Sequence, residues 1–264
     1  MVEKASYETL HDAFVKLVDR SDGKRLSLRG LGVSWGIWDF TAWDEILRLP
    51  GLTHLDLASN DIDMLPFPCN HFKELRRLDL SCNDLQYWST SRQYSLDRLD
   101  FPALEELDLA CNDMGLVIIP YKTPWRRTLR TLRLDGNAFE DWHLETWGST
   151  SLRVESAPLP NLRVLSLSAN QLQHTPRLGW TPALEELDLS ANPIRCNHHL
   201  LLALRRLRVL NLRHTNMRRL PACLFEMKQL TELDLRVNDL QMGDLRRLRR
   251  ALPRTKILWE PMEA

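Results

Sequence analysis

Apolar and polar positions recur along the chain in one nine-residue pattern, L-x-x-L-x-L-x-x-N. It occurs at 52–60 (LTHLDLASN), 75–83 (LRRLDLSCN), 104–112 (LEELDLACN), 129–137 (LRTLRLDGN), 162–170 (LRVLSLSAN), 184–192 (LEELDLSAN), 207–215 (LRVLNLRHT) and 230–238 (LTELDLRVN), after a degenerate first copy at 23–31 (GKRLSLRGL). The ninth positions are spaced by 29, 23, 29, 25, 33, 22, 23 and 23 residues. In L-x-L, strand alternation puts both leucines on one face and the residue between them on the other. So short a strand is unstable alone. Stacked on its equivalents it extends a parallel sheet, with leucine ladders buried behind it.

The ninth position closes each strand. Asn60, Asn83, Asn112, Asn137, Asn170, Asn192 and Asn238 stand there, while Leu31 and Thr215 replace Asn in copies one and eight. A buried Asn amide both donates and accepts, so a row of them can satisfy the backbone groups freed where the chain turns. Local defects are expected at Leu31 and Thr215. Two residues on, an apolar side chain seals each turn: Val33, Ile62, Leu85, Met114, Phe139, Leu172, Ile194, Met217 and Leu240.

The return segments 39–50, 196–207 and 221–230 have helical spacing. The long copies 83–112, 112–137 and 137–170 predict loops projecting from the convex or edge side. A solenoid needs covered ends. Residues 6–20 predict a capping helix with Leu10, Phe14 and Leu17 on one face and Ser6 at its start. Residues 243–252 predict a helix with Leu245, Leu248 and Leu252 inward, stopped by Pro253. Residues 256–260 then read as a closing edge strand in which Ile257 and Trp259 continue the inner ladder. The expected layout is a single domain over 1–264: a cap at 1–22, nine repeats at 23–242 and a second cap at 243–264.

These nine copies in register resemble the leucine-rich repeat family over about residues 23–259. The resemblance implies an α/β solenoid, a curved horseshoe with a parallel sheet of about nine short strands on its concave face, of the cytoplasmic repeat type. Pro66 and Pro221 match the Leu-Pro habit of the family's 23-residue class, and Pro176, after Thr175, stands at the same offset. The family is a scaffold with many partners, so function has to be argued from the exposed positions.

The chain has 264 residues, 35 basic and 35 acidic, and a formal net charge of zero. That balance argues against a dedicated nucleic-acid or membrane-surface protein, which needs an excess of charge. With 44% hydrophobic residues and 52 leucines, wholesale disorder is excluded. No apolar run is long enough for a membrane helix, and the opening MVEKASYETLHDAF is unlike a secretory signal. Five cysteines, an odd number without a Cys-x-x-Cys pair, fit reduced thiols. A soluble cytoplasmic protein is expected.

Catalytic signatures are missing: no G-x-G-x-x-G, Walker A, G-x-S-x-G or H-E-x-x-H run occurs. No enzymatic activity, cofactor or small-molecule substrate is expected. Cys196, His198 and His199 have metal-ligand character but read as the polar entry to a convex helix. Cys82 and Cys111 share one template position in neighbouring copies, about 5 Å apart if they pair laterally. Packing at a crowded turn is the plainer explanation for them, a redox pair the sharper one. The basic run Arg246, Arg247, Arg249, Arg250, Arg254 and Lys256 reads as the solvated face of a capping helix rather than a nucleic-acid site.

The template's exposed positions point instead to a protein partner. In the second column acid and base alternate, as Arg76–Glu105–Arg130 and Arg163–Glu185–Arg208. That is either a self-neutralising lateral ladder or a mosaic for a charged partner. The fifth column holds Asp56, Asp79, Asp108, Asp188 and Asp234 with Arg133 and Asn211, an acidic stripe suited to a partner with a basic surface. Arg77 and Glu106 flank it, and Arg213 and Arg236 stand beyond it. The scaffold needs no acid in this column unless Arg76, Arg77, Arg130 and Arg133 neutralise it. Reversing Asp79 and Asp108 to Lys is therefore expected to spare the melting temperature and slow association. The small eighth-column residues Ser59, Cys82, Cys111, Gly136, Ala169 and Ala191 suggest a shallow central groove. Trp88, Trp125, Trp142 and Trp147, in the long copies, are either contact residues or convex core. Trp35, Trp38 and Trp43 read as packing under the first cap. The function expected is a non-catalytic binding module acting as regulator, inhibitor, immunity-type binder or adaptor. The alternatives are an assembly subunit and, behind it, a nucleic-acid binder using the C-terminal helix.

Overall fold

A computed structural model describes residues 15–33, 41–65, 72–86, 99–115, 119, 123–139, 158–195 and 198–260. Its three-residue strands are β1 Arg25–Ser27, β2 His54–Asp56, β3 Arg77–Asp79, β4 Glu106–Asp108, β5 Thr131–Arg133, β6 Val164–Ser166, β7 Glu186–Asp188, β8 Val209–Asn211, β9 Glu232–Asp234 and β10 Lys256–Leu258. They form one open sheet in chain order, every pairing parallel. Nine strands are the template copies. The tenth is the closing edge strand expected near 256–260, its Ile257 in register with Leu233.

Register follows the template, so each column of the sequence is a row of neighbours in space. Leu55 meets Leu78, Leu78 meets Leu107 and Leu107 meets Leu132. These central leucines and the second ladder of Leu57, Leu80, Leu109 and Leu134 are buried. One continuous apolar core runs from Val18 to Leu252. Lateral bonding continues past the strands: Leu57 N donates to Asp79 O at 2.8 Å, and Cys82 N to Ala110 O at 2.7 Å.

The Asn ladder forms. Asn137 Nδ2 donates to the Leu109 and Leu134 carbonyls at 3.0 Å each, and its Oδ1 accepts from Met114 N at 3.0 Å. Asn60, Asn83, Asn112, Asn170, Asn192 and Asn238 likewise accept the N–H of Val33, Ile62, Leu85, Phe139, Leu172 and Met217, the residues that seal the turns. The defect at Thr215 is also present. Its hydroxyl serves only Leu212 O and Asn238 Oδ1, and the N–H of Ile194 turns back to Asn192 O at 2.8 Å.

The eighth template position explains its own small residues. Gly30, Ser59, Cys82, Cys111, Gly136, Ala169, Ala191, His214 and Val237 all have φ between 51° and 69°. This left-handed turn crowds a branched Cβ. The column is therefore small because of backbone conformation, not to hollow out a groove. Val237, β-branched and exposed, is the departure.

On the return side, α1 spans Thr41–Leu47. The expected helices at 196–207 and 221–230 form as shorter 3₁₀ turns, His198–Ala203 and Ala222–Glu226, and a third occupies Pro124–Arg127. A 3₁₀ turn advances about 2.0 Å per residue against about 1.5 Å in an α-helix, so it spans a short return with fewer residues. Residues 15–20 are helical and bury Val18, with Leu17 half-buried; Ser6, Leu10 and Phe14 lie outside the described residues. At the other end α2, Met242–Ala251, buries Leu245 and Leu248, followed by buried Leu252.

Candidate functional site on the strand face

The fifth-column acids share one geometry. In each, Oδ1 accepts the backbone N–H two residues on: Asp56 from Ala58 at 3.1 Å, Asp79 from Ser81 at 3.0 Å, Asp108 from Ala110 at 3.1 Å, Asp188 from Ser190 at 2.8 Å and Asp234 from Arg236 at 3.0 Å. Asn211 does the same for Arg213 N at 3.0 Å. An Asx side chain thus caps the strand as it enters the left-handed turn. Where copy six has Ser166 in this column, the cap arrives from the neighbouring strand: Asp135 Oδ1 accepts from Ser168 N at 2.9 Å and also from the Ser166 hydroxyl.

The expectation that the scaffold needs no Asp here is corrected by these caps. Lysine at 79 or 108 would remove a cap as well as reverse a charge, so the double reversal would not spare the melting temperature.

One carboxylate oxygen of each Asp remains, and most are taken within the chain. Arg29 donates to Asp56 Oδ2 at 3.2 Å and to Asp79 Oδ2 at 2.8 Å. Asn211 Nδ2 donates to Asp188 Oδ2 at 2.8 Å, and Arg236 NH2 to Asp234 Oδ2 at 2.6 Å. Asp108 differs: among the described residues its Oδ2 has no hydrogen-bond or ion-pair partner. Burial pushes the Asp108 carboxyl up, the Ala110 N–H opposes this, and Asp79 and Asp135 add to the rise while Arg133 offsets part of it. Burial also raises Asp135. At Asp234 burial acts upward too, but the Arg236 side chain and backbone hold that carboxyl below the usual value. Arginine thus pairs with the acids at both ends of the stripe, whereas at its centre the outer oxygen of Asp108 has no direct partner among the described residues and Arg133 offsets its charge only in part.

Sequence reasoning missed Arg29 and Asp135, both in the seventh column. The available signal was a long cation two residues beyond the strand in the copy preceding two column acids, and an acid standing next to the one copy whose fifth position is Ser after an Arg. The Arg76, Arg77 and Arg130 side chains turn elsewhere. Arg76 pairs with Glu105 at 2.7 Å, Arg130 with Glu105 at 3.5 Å and Arg77 with Glu106 at 3.5 Å. The first alternating triad thus closes. The second closes as Arg163–Glu185 at 3.5 Å, while Arg208 donates to Gln229 O. All are exposed pairs worth roughly 0.2–1 kcal/mol each. Arg213 is exposed past β8.

Trp125 is corrected as a contact residue: it is fully buried in the 3₁₀ turn Pro124–Arg127 and cannot touch a partner. Trp88, Trp142 and Trp147 lie outside the described residues, as do Trp35, Trp38, Pro66 and Cys196. His198 is half-buried in its 3₁₀ turn, and burial lowers its imidazole. On α2, Arg246, Arg249 and Arg250 are exposed, whereas Arg247 lies 5.8 Å over the Phe225 ring and 3.8 Å from Asp244.

Open parallel stacking, leucine ladders and the Asn ladder define a leucine-rich repeat solenoid. A family model described as Leucine Rich repeat matches residues 50–63, and the fold is that of leucine-rich repeat proteins. No curated protein matches the sequence. A leucine-rich repeat protein of Leptospira interrogans is 26% identical with a TM-score of 0.59, the match covering 81% of this chain and 56% of that one. The chain thus spans little more than half that protein's length. Internalin C2 of Listeria monocytogenes is 18% identical with a TM-score of 0.56, over 95% of this chain and 92% of that one. A leucine-rich repeat protein of Bacteroides thetaiotaomicron is 15% identical with a TM-score of 0.58, over 80% of this chain and 29% of that one. The last two show the fold alone.

Proposed function

We propose that the chain is a non-catalytic protein-binding module that takes a partner with a basic surface across its concave face, centred on Asp108. The single observation behind this is the outer oxygen of Asp108, without a direct partner among the described residues while its column neighbours are satisfied internally. A carboxylate held up by burial and like charge gains most from an incoming ammonium or guanidinium. Arg133 is its register partner on β5, and Glu106 and Arg77 stand two positions earlier on β4 and β3; these would set orientation, with Asp188 three strands on as a further acid of the stripe. Arg213 and Arg236 would mark the C-terminal limit. Leucine-rich repeats commonly serve protein–protein recognition, which supports the class. The odd number of cysteines, without a Cys-x-x-Cys pair, supports a reducing, cytoplasmic setting. Among the described residues no helix is long and apolar enough to cross a membrane.

The test is capture from native lysate on immobilised wild type, Asp108→Asn and the α2 control Arg249→Ala. A protein retained by wild type and control but lost with Asp108→Asn supports the assignment. Identical retention on all three removes Asp108 from the binding site.

A further inference from the structure

Cys82 and Cys111 occupy the eighth position of consecutive repeats, immediately past β3 and β4. Both are exposed free thiols, and both have φ of 54°. Lateral bonding ties the two turns together on either side: Cys82 N donates to Ala110 O at 2.7 Å, and Cys111 N to Asp135 O at 2.7 Å. Repeat symmetry then reports how the side chains lean. A Cβ placed on Gly136, the next residue in the column, would lie 3.0 Å from Cys111 Sγ. Cys111 Sγ therefore leans toward the next repeat, and the shared φ of 54° gives Cys82 the same backbone direction toward Cys111. The lateral spacing, about 5 Å, falls inside the Cα separation of roughly 4.4–6.8 Å that a disulfide needs. The thiols also feel each other: burial and the neighbouring Cys82 push the Cys111 thiol up.

We propose that Cys82 and Cys111 are a redox-closable pair, forming a reversible disulfide across adjacent repeats. With a small-molecule disulfide as oxidant, one cysteine thiolate attacks and expels the first small thiol, leaving a mixed disulfide. The second cysteine, as thiolate, attacks its protein-side sulfur and expels the other. The pair loses two electrons, the oxidant becomes two thiols, and the two protons pass through solvent to the departing thiolates. The bridge closes the long copy between its own ends, around residues 83–110, and sits beside the turn that Asp108 caps.

Exposure of the full-length protein to oxidised glutathione, alkylation of remaining thiols and peptide mapping test this. The expected result is a Cys82–Cys111 cross-linked peptide that outweighs glutathione adducts at either position and disappears on reduction. In Cys82→Ser, Cys111 is expected to accumulate as a stable glutathione adduct. Separate adducts at Cys82 and Cys111 in the wild type, thiols that stay free, or a bridge from either one to Cys69, Cys196 or Cys223 would overturn the proposal.

Discussion

At the residue scale, one side chain type does two jobs on this sheet. The inner oxygen of each fifth-column Asp belongs to the turn and the outer one to the surface. Asn211 shows that an amide performs the inner task equally well. Asp108→Asn should therefore keep the cap while removing a carboxylate that burial disfavours. Because the Asp108 carboxyl is raised, the folded state binds that proton more tightly than the unfolded state. Its charge thus destabilises the fold above the folded value, and the penalty is relieved as pH falls. Thermal melts should show Asp108→Asn at least as stable as wild type at pH 7, the gap closing toward the ordinary value of 3.8. Asp108→Lys, which loses the cap, should cost about 0.5–2 kcal/mol, by analogy with losing an N-cap. Lower stability of the Asp108→Asn variant at every pH would contradict the division of labour.

Thr215 offers the complementary case. Replacing it with Asn should let a new amide reach the Leu189 and Leu212 carbonyls and accept the Ile194 N–H. The gain expected is about 0.5–1.5 kcal/mol in denaturant unfolding. No gain would mean that Ile194 loses nothing by bonding to Asn192.

At the scale of elements, the stack was legible because every copy repeats the same alternation. Strand positions, register, the Asn ladder and its Thr215 defect follow from the template. Asp capping was not, because the pattern L-x-L-D-L marks where Asp stands but not that its carboxylate folds back two residues. Nor was the backbone cause of the small eighth column, since size alone cannot separate a groove from a left-handed turn. The convex returns were read as helices because Leu201, Leu204 and Leu224 recur at helical spacing, and a 3₁₀ turn buries a similar set. Leu109, fully buried between β4 and its successor, should cost roughly 2–5 kcal/mol as Ala in chemical unfolding. A loss under about 1 kcal/mol would be too small for a side chain that fills the inner ladder.

For the whole molecule, zero net charge hides a pattern. Arg29 satisfies the acids of β2 and β3, Arg236 that of β9, and the centre is left with Asp108 and Asp135. Composition showed the acids but not which arginines would meet them, because Arg29 reaches its partners across one and two strand spacings. The aromatic residues were the least legible: the sequence left Trp125 open between contact residue and convex core, and it is core. The most direct test of concave-face binding is the association rate of the captured partner with wild type and Asp108→Asn at two salt concentrations. Steering by Asp108 is screened over about 10 Å at 0.1 M salt. The wild type should therefore associate faster than Asp108→Asn at low salt, the two rates converging as salt rises, with both proteins melting normally. Equal rates and equal affinities at both salt concentrations would contradict binding through the centre of the strand face.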